Sequence, residues 1–292
     1  MVVNKLKGVH PLSKLVWLDY FDYAIRLFSN GKHDYVKKPD SFISIVSQGQ
    51  ALLKSDIVNV NIECFYIEYI NENKELVQKW AEKKLGFAVK KLLASTEPKE
   101  IITEVLKGLS FLYEHSKPLV LIIPSPKSWV KMVLNSLENG INHKVEQDQI
   151  EAVAMYQAEW LRGFSKAGLS GIVIKEEVNL EYEIDHHLEF YQPILNISDH
   201  YQWSTGIYVS EFSGELLKFH EKFDFTLFSR NSKSDFIPLW EKEEPIFGGL
   251  NREFWQGEEE AAAVPSNALY FGKIPPDTEP ETVLVQLKKI RS

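Results

Sequence analysis

The chain has 292 residues, 44% of them hydrophobic and 25% charged, a formal net charge of −8 and a single cysteine, Cys64. A globular composition of this length can bury roughly three quarters of its unfolded surface, so no disulfide or metal staple is needed. The acidic balance argues against nucleic acid or an anionic membrane as partner, and one thiol excludes an internal disulfide and any two-thiolate metal site.

In chain order, residues 11–30 have the spacing of a helix, with Leu15, Leu18, Ala24, Ile25 and Phe28 on one face and Asn30-Gly31 as its stop. The N-terminal stretch has no continuous apolar segment of the secretory kind. Residues 41–46 read as a strand, as do residues 57–67, where Val58, Val60 and Ile62 alternate with polar neighbours. Residues 72–93, rich in Lys, Glu and Leu, read as a helix. A second helix follows, capped at Thr96, with Pro98 in its first turn and a stripe of Ile101, Ile102, Val105, Leu106, Leu109 and Leu112.

Residues 118–124 form the next buried strand, too short an apolar run to span a bilayer. It leads through Ser125 into a helix over 129–138. Asp148 and Glu151 have capping-box spacing, and Ile150, Val153, Ala154, Ala158, Leu161 and Phe164 continue an apolar helical face. Gly168 suits the left-handed residue that ends such a helix. Residues 171–174 are apolar without alternation, as in a strand covered on both sides, and Glu176 and Glu177 follow at its C-terminal end. A short helix is expected over 185–191. Strands are expected over 206–210, 223–228, 245–249 and 268–274, then a closing helix with a capping box at Thr278 and Glu281 and a face of Val283, Leu284, Leu287 and Ile290. Residues 257–263 suit an acidic helix start. About eight strands alternating with helices imply parallel pairing, and fewer than 300 residues suit a closed (β/α)8 TIM barrel as a single domain over 1–292.

Five stretches carry a likeness: 119-LVLIIPSPKSW-129, 158-AEWLRGFSKAGLSGIVIKEE-177, 207-IYVSEFSGELL-217, 223-FDFTLFSR-230 and 269-LYFGKIPPDTEPETVLVQLKKI-290. In this order they resemble the superfamily that joins cobalamin-independent methionine synthase and uroporphyrinogen decarboxylase. The likeness covers most of residues 118–290, while residues 1–117 match only in general pattern. It implies a TIM barrel and methyl-transfer or decarboxylation chemistry at the strand C-termini. The synthase zinc ligands do not carry over. Its His falls on Gly206, one Cys on Tyr208, its Glu near Phe228, and the second Cys around Lys273-Ile274-Pro275. Zinc makes a thiol nucleophilic by stabilising its thiolate, so thiol methylation by that route is not expected. No metal and no cofactor are expected.

Candidate catalytic residues are Glu176, Glu177 and Glu211, which follow strands at the end where barrels place their chemistry. Neighbouring strand residues face opposite ways, so only one of Glu176 and Glu177 can point into the mouth; the plain alternative is a salt bridge at a strand end. Arg230 suits a carboxylate or phosphate through its two-pronged guanidinium, or is a surface arginine. Tyr208 and Trp129 could stack on a flat ligand, or belong to the core. Asp185 with His186 and His187, and Asp199 with His200, are more simply solvated than metal-binding. Cys64 reads as a small buried hydrophobe. Ser125 lacks a G-x-S-x-G context, and Gly248-Gly249 is too short for a phosphate loop. The expectation is a zinc-free, methionine-synthase-like barrel in the cytoplasm that binds a small polar or folate-like ligand. The alternatives are a non-catalytic barrel that binds a ligand or partner subunit, a homo-oligomer included, and a metal-free decarboxylase.

Overall fold

The computed structural model describes residues 14–29, 31, 34–114, 116–137, 145–176, 188–211, 222–258 and 264–291. Eight strands form one sheet: β1 (Leu15–Asp19), β2 (Val58–Asn61), β3 (Leu119–Pro124), β4 (Gly171–Glu176), β5 (Ser204–Val209), β6 (Phe225–Phe228), β7 (Ile246–Gly249) and β8 (Leu269–Lys273). Their order is β1-β8-β7-β6-β5-β4-β3-β2, and every pairing is parallel. Helices connect them: α1 (Phe21–Phe28), α2 (Pro39–Leu53), α3 (Glu63–Glu72), α4 (Lys74–Ala81), α5 (Leu85–Leu93), α6 (Thr96–Tyr113), α7 (Pro126–Asn135), α8 (Gln147–Leu161), α9 (Gln192–His200), α10 (Lys233–Trp240), α11 (Arg252–Gln256) and α12 (Pro280–Arg291). This is the (β/α)8 barrel that the alternation predicts. None of these helices is long and apolar enough to cross a membrane.

The two ends of the sheet meet at β1 and β2, where residues 55 and 56, through main chain and side chains, take the place of a strand ladder. The Asp56 N–H donates to the Val16 carbonyl (2.8 Å), and its carboxylate accepts from the Val16 N–H (2.8 Å). The Ser55 hydroxyl accepts from the Leu18 N–H (3.0 Å). Buried backbone donors need partners, and these residues supply them where no strand reaches.

The register sorts each strand into an inner and an outer face. Trp17 on β1 meets Phe225, Phe247 and Phe271 across the interior, with ring centroids 5.6, 5.7 and 5.7 Å away. Gly206 on β5 makes room for them: a Cβ there would lie 2.1 Å from the Phe225 ring. By strand alternation Trp17 puts Asp19 on the inner face. Asp19 pairs in register with Lys273, and Lys175 with Tyr208.

Several local expectations change. The helix expected over 11–30 is strand β1 followed by α1. All five residues of β1 are buried, and such a run has no period by which to tell strand from helix. The strand expected over 41–46 lies inside α2, whose buried Phe42, Ile45, Val46, Gly49 and Leu53 follow helical spacing. These two exchanges leave the strand count at eight. The strand expected over 57–67 stops at Asn61, because the Asn61 side chain accepts the Glu63 N–H (3.0 Å) and starts α3. The helix expected over 72–93 is two, α4 and α5. Asp148 does not cap α8; it pairs with Lys84 at 3.0 Å. Gly168 has the expected left-handed backbone, at φ 73°. The acidic run 257–263 falls largely outside the described residues, and Gly257 closes α11.

Candidate functional site

The strand C-termini bring together a charged set that sequence reasoning touched only at its edge. Asp19 ends β1 and Lys273 ends β8. Asp22 lies in the first turn of α1, Glu63 opens α3, and Lys175 lies near the end of β4. Lys273 Nζ lies 2.7 Å from the Asp22 carboxylate, and Lys175 Nζ lies 2.5 Å from Glu63. Asn61 orients Glu63, donating from Nδ2 to its carboxylate at 3.1 Å. Tyr208 closes the set from β5, its ring edge-on to Phe271 at 5.1 Å and its hydroxyl hydrogen-bonded to Ser229.

Asp19 is 8% exposed. Burial pushes its carboxyl up to about 6, with Asp22 and Glu63 adding to the rise and Lys273 and Lys175 opposing it. Burial would lower Lys273, but Asp19, Asp22 and Glu63 outweigh it and raise its affinity for a proton. The Tyr208 phenol is raised by burial first and by Asp19 second. The set therefore holds a carboxyl whose proton affinity burial has raised, beside Lys175 near the end of β4 and Lys273 at the end of β8. Such a site can bind a ligand bearing both signs and can hold or release one proton.

The predicted residues that lie among the described ones fall in four places. Glu176 is buried behind the β4 wall, where it accepts from the Tyr191 hydroxyl and hydrogen-bonds Ser125. Burial raises its carboxyl, and the two hydroxyls, Lys127 and Lys131 oppose the rise. It is thus held by the helical layer, while its neighbour Lys175 takes the inner face. Glu177, Asp185, His186 and His187 lie outside the described residues. Glu211 and Arg230 form a salt bridge at 3.0 Å, each about two-thirds exposed, after β5 and β6. Tyr208 sits in the mouth. Trp129 does not; it is fully buried on α7 with its ring edge-on to Tyr66 at 4.7 Å.

The remaining candidates have structural settings. Ser125 caps α7 by accepting the Ser128 N–H at 3.0 Å. Burial pushes the Cys64 thiol up to about 12, which leaves it a poor nucleophile. Asp199 and His200 are exposed at the end of α9, where His200 packs on Tyr201. At two positions where the resemblance would place synthase zinc ligands, the structure has other groups. The space at Gly206 is filled by Phe225, Tyr208 offers a phenol, and among the described residues no group of three His, Cys, Asp or Glu could hold a metal.

Two signals pointed to Asp19 and Lys175 without identifying them. Asp19 directly follows the apolar run 15–18, and Lys175 interrupts one just before the glutamate pair. Reading β1 as a helix hid the first.

No protein-family model matches the chain, and no curated protein sequence does either. Among solved structures, a methyltransferase from Methanosarcina mazei is similar over 100% of this chain and 98% of its own, with a TM-score of 0.68 and 12% sequence identity. At that identity the likeness concerns the fold.

Proposed function

We propose that this barrel binds a small polar or folate-like ligand at its mouth and works in methyl-transfer chemistry without a zinc-held thiol. The observation that carries this reading is the ring of Asp19, Asp22, Glu63, Lys175 and Lys273 around the strand C-termini, the end where barrels place their chemistry. The methyltransferase neighbour supports the methyl-transfer part by fold analogy alone. Glu211 and Arg230 are proposed as a rim pair that opens to a ligand carboxylate, and Tyr208 as the wall against which a flat ring rests.

Thermal-shift screening of the full chain with folates, amino acids and tetrapyrroles tests the reading. A ligand at a hundred times its Kd stabilises by about 2.7 kcal/mol, which a melting curve resolves. A folate or amino acid should raise the melting temperature of the native chain and do so less in Lys175→Met. No shift with any of these compounds would remove the small-ligand reading in favour of a barrel that serves a partner subunit.

A further inference from the structure

We infer that Asp19 is the anchor for a cationic nitrogen of the ligand, an ammonium or a protonated ring N–H. The inference rests on the mouth being a ligand site and adds the chemical class of the group bound there. The Asp19 side chain is on the inner face of β1, two residues beyond Trp17 in the barrel interior. It is 8% exposed, and among the described residues no group donates a hydrogen bond to its carboxylate; its main chain is held in the β1–β8 pairing, its carbonyl accepting the Ile274 N–H at 3.0 Å. Both ammonium groups of the mouth are already engaged, Lys273 by Asp22 at 2.7 Å and Lys175 by Glu63 at 2.5 Å.

Buried carboxylates nearly always have donors, and one without them in a cleft marks a place where a ligand supplies the donor. Charge selects the kind of donor. Facing Asp19 are Lys273 from β8, Lys175 from β4, Asp22 from α1 and Glu63 from α3, with the phenol of Tyr208 from β5; the neighbouring Tyr20 hydroxyl is turned to the Val46 carbonyl and Gln50 on α2. Three carboxylates against two ammonium groups leave the mouth acidic when Asp19 is ionised. A cation neutralises that excess and provides the missing hydrogen bond, whereas an anion meets repulsion and a neutral group leaves the charge standing. The raised proton affinity of Asp19 agrees with a carboxylate awaiting a cation.

Carboxyl carbon NMR of the isotope-labelled full chain tests this, with Asp19→Asn assigning the signal. Methylammonium chloride should lower the Asp19 titration midpoint further than potassium chloride at equal ionic strength, and saturably. Lys273→Met should raise the midpoint and lower the methylammonium concentration needed for half-saturation several-fold; it also carries the test if Asp19→Asn does not fold. Equal effects of methylammonium and potassium would overturn the inference. A folate or amino acid that protects the native chain and Asp19→Asn equally would overturn it too, while leaving the mouth a ligand site. Methylammonium acting through Asp19 when no screened compound binds would uphold the inference and remove the proposed function.

Discussion

Asp19 shows how a single residue joins stability to the proposed ligand site. Its carboxyl keeps its proton up to about 6 in the folded chain, against 3.8 as the ordinary value. The folded state therefore binds more protons than the unfolded state between those limits, and stability falls as pH rises through that window. At 1.36 kcal/mol per pKa unit the loss approaches ~3 kcal/mol above it. Asp19→Asn should recover ~2 kcal/mol at neutral pH and progressively less down to the lower limit, read by urea denaturation across pH. A variant less stable than the native chain at neutral pH would show that Asp19 is compensated. Glu176 gives the opposite case, a buried carboxylate that has its donors. Glu176→Ala leaves the Tyr191 hydroxyl without its acceptor and should cost about 1–3 kcal/mol, with Glu176→Gln milder. Equal stability of Glu176→Ala and the native chain would contradict that role.

At the scale of elements, the joint without a strand ladder is the β1–β2 seam, held by the Asp56 main chain and by the side chains of Ser55 and Asp56. Asp56→Ala strands the buried Val16 N–H and should cost ~1–3 kcal/mol, with faster amide exchange confined to β1. Uniform exchange along all strands would deny the seam that special role. The aromatic filling predicts a second effect. Gly206→Ala drives a methyl into Phe225 and should cost ~1–3 kcal/mol, and Phe225→Leu in the same chain should recover part of it in a double-mutant cycle. The elements read correctly from sequence were those with a period or a boundary: α6 with its stripe, β3 closed by prolines, and β4 following the Gly168 turn. The strand β1 and the start of α2 lacked such marks. One is buried on all sides, and the other is a short apolar stretch that a strand and a helix fit equally well.

For the whole molecule, the barrel joins the first strand to the last, so β1 and α12 belong to one core. We propose that the chain is one domain; a calorimetric scan should then show a single transition coincident with the loss of tryptophan fluorescence. Two separated transitions would divide the chain. The acidic surface carries its own expectation: at net charge −8, no salt-dependent retention on duplex DNA.

From the residues alone came the layered plan: eight strands in parallel pairing, alternating with helices. The reason is that periodicity, glycine stops and chain length are local or additive quantities that one sequence carries in full. Which side chains share the mouth was decided only in three dimensions. Asp19 and Lys273 are 254 positions apart and become neighbours because the sheet curls until β1 lies against β8. Lys175, not the more conspicuous Glu176, reaches the inner face because barrel closure assigns each strand an inside, and a one-residue shift along a strand changes which side a group faces.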